Sequence, residues 1–176
     1  MPKTHGYINT THCMCWDNDA LNFAGVAANT DIDNGTFLAL GAINNTDGFI
    51  NGYDFAVTVD ANGAATQKYI AATPIPGSSA DLAIQLYDDP RYFYNEAGKP
   101  ISVKRIMNGD CIEINKEAFG EGKSPADQTT YTTASIGADG KLQMVAQDGD
   151  FKLLGYEYVG VGQEEMKVWV LMYMGQ

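Results

Sequence analysis

Four of the five His and Cys residues in this chain crowd its start: His5, His12, Cys13 and Cys15, with Cys111 far away. Neutral imidazole and thiolate suit Zn²⁺, which takes four ligands at tetrahedral spacing. The spacing here is poor. Adjacent His12 and Cys13 point to opposite sides of an extended strand, and no second Cys pair follows. The expectation is no metal and no disulfide framework, the cysteines serving as small apolar groups.

Asp31-Ile32-Asp33-Asn34-Gly35 places carboxylates at alternate positions, which hard cations favour. Counted from Asn29, the sixth position is Asn34 and the twelfth is Leu40, where an EF-hand loop needs Gly and Glu. An Asp/Asn-rich turn before a strand is expected instead. Asp148-Gly149-Asp150 reads the same way, and Asp17-Asn18-Asp19 reads as the cap of a helical turn.

Nucleophilic catalysis has little to draw on. Both His lie near the N-terminus, and no G-x-S-x-G surrounds Ser78 or Ser79. Cys111 falls in an alternating run and reads as core. Asp88-Asp89 and Glu164-Glu165 are adjacent, so on extended backbone each pair splits to opposite faces. Neither a P-loop nor a dinucleotide fingerprint is present. The chain is expected not to be an enzyme and to need no cofactor. A hydrolase with carboxylates gathered from distant positions is the third-ranked reading.

The aromatic residues suggest more. Tyr87, Tyr92, Phe93 and Tyr94 precede a loop at Asn95, and Trp169 and Tyr173 lie on a final strand. From Met166 to Met174, the set Val168, Val170, Met172 and Met174 alternates with Trp169, Leu171 and Tyr173. Both faces are apolar, so this strand is either buried on both sides or covered by another chain. Trp16, Phe23, Tyr92, Tyr94, Trp169, Leu171 and Tyr173 are the interface candidates, being the residue types that anchor interfaces. A carbohydrate-stacking platform of Tyr92, Tyr94 or Trp169 is the weaker option.

The elements that position these residues read as β. Gly, Asn, Asp and Thr punctuate nearly every segment, and few windows have helix-forming composition. Strand candidates are Thr36–Leu40, Tyr53–Val59, Lys68–Thr73 and Ile101–Met107. Others are Cys111–Ile114, Thr129–Ile136, Lys141–Ala146, Gly155–Val161 and Met166–Met174. Asn108-Gly109 and Asp139-Gly140 are hairpin signals, because both turn residues must tolerate positive φ. Lys116–Phe119 reads as one helical turn. Residues 1–28 are expected to be an extended arm, and 29–176 a β-rich domain with a seam near 74–80. The fold expected is all-β, as one or two small barrel or sandwich lobes with that arm.

Composition narrows the partners. With 11 basic against 22 acidic residues, the net charge of −11 argues against a nucleic-acid surface. No apolar run is long enough to cross a bilayer, and no signal peptide is read. The 45% hydrophobic content is enough for the chain to fold alone.

The run Phe93, Asn95, Glu96, Ala97, Gly98, Lys99, then Gly109, Asp110, Ile112, Ile114, then Glu117, Ala118, Phe119 carries one family resemblance. It resembles structural proteins of tailed phages, which pair an N-E-A-G-K-like turn with a G-D-x-F-x-[IV] strand and an E-A-F/L element. Cys111 stands where that pattern has an apolar or aromatic residue. The resemblance implies a capsid decoration (cement) protein, made in the host cytoplasm and placed on the capsid exterior. Its implied partner is the phage major capsid protein, which it bridges, and a homo-oligomer is implied too. Nucleic acid and membrane are not contacted on this reading. The alternative from the residues is a glycan-binding β module.

Overall fold

The computed structural model describes residues 3–13, 18–27, 29–44, 54–74, 89–161 and 164–175. It is all-β. Eleven strands run in chain order: β1 (Ile8–Asn9), β2 (Asn22–Val26), β3 (Phe37–Asn44), β4 (Asp54–Val59), β5 (Tyr69–Ala71), β6 (Pro100–Arg105), β7 (Cys111–Ile114), β8 (Thr133–Ile136), β9 (Leu142–Val145), β10 (Phe151–Val161) and β11 (Glu164–Tyr173). Five of them, in the order β2-β4-β3-β5-β6, close into a barrel. The others form a six-stranded sheet ordered β1-β7-β11-β10-β8-β9.

Alternation along the barrel strands builds two cores from one set of residues. Successive strand side chains point to opposite faces. Leu38, Ala71, Ile101, Val103 and Val57 therefore fill the barrel interior. Their neighbours Phe37, Ile70 and Ala72 point outward into a second core. There they meet Ile112, Ile114, Ile136, Leu142, Phe151 and Leu171 of the six-stranded sheet. The barrel and the sheet thus share buried apolar area, the dominant favourable term in folding.

The leading segment is extended but not loose. β1 pairs with β7, with Ile8 opposite Ile114 and Asn9 opposite Glu113. The Tyr7 amide donates to Asn115 Oδ1 at 2.8 Å, and Asn115 Nδ2 donates to the His5 carbonyl at 2.9 Å. β2 is a barrel strand, antiparallel to β6 and parallel to β4. The boundary expected at residue 28 is corrected: an unpaired strand edge must find partners, and Asn22–Val26 finds them inside the barrel.

The seam expected at 74–80 falls largely outside the described residues. β5 and β6, which flank it, pair with each other in the barrel, Tyr69 opposite Arg105. The passage from barrel to sheet comes after Arg105. Asn108-Gly109 does make a turn, with Gly109 at φ 95° and the Asp110 amide donating to the Met107 carbonyl at 3.0 Å. It is not a hairpin, however. β6 pairs with β2 and β5, whereas β7 pairs with β1 and β11. Asp139-Gly140 does close the expected hairpin, β8 against β9. Lys116–Ala118 forms the expected single turn, capped by Asn115. Among the described residues, no helix is long and apolar enough to cross a membrane.

Candidate functional site

Three features of the described surface hold functional groups: a charged cleft, a pair of acids of which one is buried and one exposed, and an aromatic ribbon. The cleft, about 490 Å³, is lined by residues that include His5, Asp33, Tyr94, Asp139 and Lys141. His5 comes from the leader, Asp33 from the turn before β3, and Lys141 from the end of the β8–β9 hairpin turn. His5 Nδ1 lies 2.6 Å from Asp33 Oδ1, and Lys141 Nζ lies 2.7 Å from Asp33 Oδ2. Lys141 Nζ also donates to the Glu117 carbonyl at 2.7 Å. The His5 ring stacks on Tyr94 with centroids 4.8 Å apart. Burial pushes the Asp33 carboxyl up, but the hydrogen bonds and charges of Lys141 and His5 outweigh it and hold it below the ordinary value. Asp33 is held between Lys141 and His5, and these contacts fasten the leader to the barrel and to the hairpin.

The acid pair lies on the other side of the leader. Glu113 on β7 is only 2% exposed. Its carboxylate accepts from Asn9 Nδ2 at 2.6 Å and meets His12 Nδ1 at 2.7 Å. Glu157 on β10 shares a hydrogen bond with Glu113. That bond, then the charge of Glu113, then slight burial, raise the Glu157 carboxyl above its ordinary value. Burial, and behind it the charges of Glu113 and Glu157, push the Tyr7 hydroxyl up as well.

The ribbon is the outer part of the β10–β11 pair. β8 covers β10 only at Phe151 and Lys152, and the Leu153 amide donates to Thr132. A register shift between Leu153 and Gly155 falls where that cover stops, as bulges commonly terminate pairing. Beyond it, Leu154, Tyr156 and Tyr158 are 51%, 59% and 58% exposed. The two Tyr rings meet edge to face at 5.9 Å, and Lys167 Nζ sits 3.7 Å above the Tyr156 ring.

The structure distributes the expected interface residues differently. Trp169 is 6% exposed and Leu171 is fully buried, so both lie in the core of the chain. The physical reason is pairing: Trp169 lies opposite Ile114 and Leu171 opposite Ile112, facing the shared core, with the Trp169 ring against Phe119. The opposite face is covered too, since Met166 and Val168 cluster with Tyr7 and Val159. Tyr173 is half-buried against Phe151. Phe23 packs edge-on against Phe55 and Tyr69 of the barrel. Tyr92 lies half-buried beside Arg91, and Tyr94 is held by His5. Trp16 lies outside the described residues, as do Cys15 and Tyr87.

Of the metal candidates, His5 goes to Asp33, His12 to Glu113 and Cys13 Sγ to the Cys111 carbonyl. Among the described residues no group of three or more His, Cys, Asp or Glu is placed to hold a metal ion. Leu154, Tyr156 and Tyr158 were not singled out from sequence. Their signal was present as alternation, but alternation does not say which face meets water.

The fold and these surfaces define an all-β protein in which a closed barrel and a curled sheet share a core. No protein-family model, curated protein or solved structure matches the chain.

Proposed function

We propose that this chain is a non-enzymatic virion structural protein that decorates the exterior of a phage capsid and stabilises it by bridging major capsid proteins. The ribbon carries the reading. Leu154, Tyr156 and Tyr158 present apolar area that the chain's own cores do not use. They do so on a protein of net charge −11, where an apolar aromatic patch is the natural point of attachment. The resemblance of Tyr92–Phe119 to phage structural proteins supports the same reading. So does the fastening of leader, barrel and sheet by Asp33, Asn115 and Glu113, which makes a stiff body suited to bearing load. Apolar burial at each site, repeated over many copies, resists the internal pressure of packaged DNA.

The test uses purified shells that lack the protein. Wild-type chain is expected to co-sediment with them and to raise their disruption temperature. The double variant Tyr156→Ser, Tyr158→Ser is expected to bind at least about tenfold more weakly, while its own melting temperature stays near wild type. Wild-type protein that leaves shells bare under every assembly condition would overturn the reading.

A further inference from the structure

We propose that Tyr158, Gly160 and Glu165 form a slot on the aromatic face of the β10–β11 pair that takes a guanidinium group of a protein partner. Only the identity of that partner rests on the capsid reading. The slot is a property of the chain itself.

Register places the three positions together. Positions two apart on a strand share a face, and so do positions directly opposite in a ladder. Tyr156, Tyr158 and Gly160 alternate along β10 and lie opposite Trp169, Lys167 and Glu165 of β11, with no register shift among them. All six positions therefore belong to one face. Tyr158 has the Tyr156 ring on one side, with centroids 5.9 Å apart. On its other side stands Gly160, where a Cβ would meet no atom within 4 Å. The missing side chain leaves a gap over the strand. Tyr158 forms one wall, and Glu165, directly opposite Gly160, forms the other. Diagonal positions across a ladder are about 7–8 Å apart, which leaves room for one planar cation between ring and carboxylate.

The groups around the gap select a cation. The ribbon already holds one: Lys167 Nζ lies 3.7 Å from the Tyr156 ring centroid and 5.4 Å from that of Trp169. Lys167 is directly opposite Tyr158 in the ladder, yet it leans over Tyr156. Among the described residues no cation lies over the Tyr158 ring, which is 58% exposed. Glu164 is bridged by Arg91 at 2.6 Å, whereas Glu165 is exposed and has no ion-pair partner among the described residues. A free aromatic face and an unpaired carboxylate on either side of one gap are complementary to positive charge. The net charge of −11 disfavours an acidic partner and draws a basic surface to this face. A guanidinium fits better than an ammonium. Its plane stacks on a ring while its N–H fork reaches a carboxylate, whereas an ammonium is a compact, strongly hydrated point charge.

Titrating the full chain with N-acetylarginine amide, while following the aromatic proton resonances of Tyr158, tests the slot without any capsid. A saturable shift is expected, with a dissociation constant on the order of millimolar. The uncharged isostere N-acetylcitrulline amide is expected to leave the resonances in place, and N-acetyllysine amide to move them less. Glu165→Gln is expected to weaken arginine binding about fivefold, and Glu165→Lys to abolish it. Both substitutions are at an exposed position and should leave the melting temperature unchanged. On shells, Tyr158→Phe keeps the ring and is expected to bind as wild type does. Tyr158→Leu keeps an apolar side chain without the ring and is expected to bind about fivefold more weakly. No shift with the arginine probe, an equal shift with the citrulline or lysine probe, or a shift that Glu165→Lys leaves untouched overturns the proposal. Shells that bind the Phe and Leu variants equally overturn it too, and leave the capsid reading standing. An arginine-specific shift in a chain that binds no shell would remove the capsid reading and leave the slot.

Discussion

Phe37 and Phe151 meet edge to face with ring centroids 5.3 Å apart, one from the outer side of the barrel and the other from the sheet. Both are fully buried. The pair ties the two halves of the molecule through side chains that lie far apart in sequence. Phe37→Ala is expected to destabilise the whole chain by about 3–5 kcal/mol, through lost transfer energy and a cavity. Because the core is shared, urea should unfold barrel and sheet in one transition for wild type. Separate transitions for the two halves in the wild-type chain would contradict the shared core.

The Asp33 clip makes stability sensitive to acid. Burial works against the Asp33 carboxylate, and Lys141 and His5 more than offset it, so its folded value lies below the ordinary 3.8. Its contribution is complete above pH 3.8 and disappears as pH falls through the lower folded value. Asp33→Asn is expected to cost about 1–3 kcal/mol at neutral pH, because Lys141 and His5 lose a charged acceptor. The variant should also lose stability less steeply below pH 4. Chemical denaturation across acid pH checks both, and an unchanged acid slope in the variant would count against the clip.

Glu157 has the opposite sign. Its carboxyl is raised above the ordinary 4.5, chiefly by the hydrogen bond it shares with Glu113 and then by that group's charge. Stability linked to Glu157 is complete below pH 4.5 and declines as pH rises through the folded value. Glu157→Gln keeps a donor for Glu113 without a second negative charge. It is expected to melt higher than wild type at neutral pH and to show a flatter profile between mild acid and neutrality. Melting curves over that range decide it; parallel profiles for variant and wild type would mean that the two acids are not coupled.

Two glycines separate backbone strain from packing. Gly109 and Gly140 have φ of 95° and 70°. A Cβ at Gly109 meets open space, whereas one at Gly140 would lie 2.5 Å from Val59 Cγ1 and 2.8 Å from the Phe37 carbonyl oxygen. Gly109→Ala is expected to cost about 1–2 kcal/mol from φ alone. Gly140→Ala should cost clearly more. Paired urea titrations measure the gap, and equal losses at the two sites would show that the hairpin turn yields.

Much of the strand content was readable from alternation and turn residues, because both are local. Asp139-Gly140 set its hairpin correctly. Asn108-Gly109 has the same chemistry and sets a turn of positive φ, yet its flanking strands part company. A dipeptide fixes backbone angles, not the strands that compete for each edge. β7 pairs with β1 and β11, which lie far off in sequence, and no local pattern reports that choice. The same limit applies to the surface. Met166–Met174 declared two apolar faces, and burial by the chain itself proved to be the reason. Leu154, Tyr156 and Tyr158 carried an equally plain alternation, but their exposure depends on β8 beginning at Thr133 and so covering β10 only at its start. The clip of His5, Asp33 and Lys141 joins three segments that nothing in their spacing connects.

The nesting of the strands has a consequence for synthesis. β1 and β7 lie side by side, yet the whole barrel is inserted between them in the chain. As the polypeptide leaves the ribosome, everything the barrel needs has emerged by Arg105, while β1 still lacks its neighbour. The barrel can close first and then act as a template, its outward Phe37 and Ile70 waiting for the later strands to arrive.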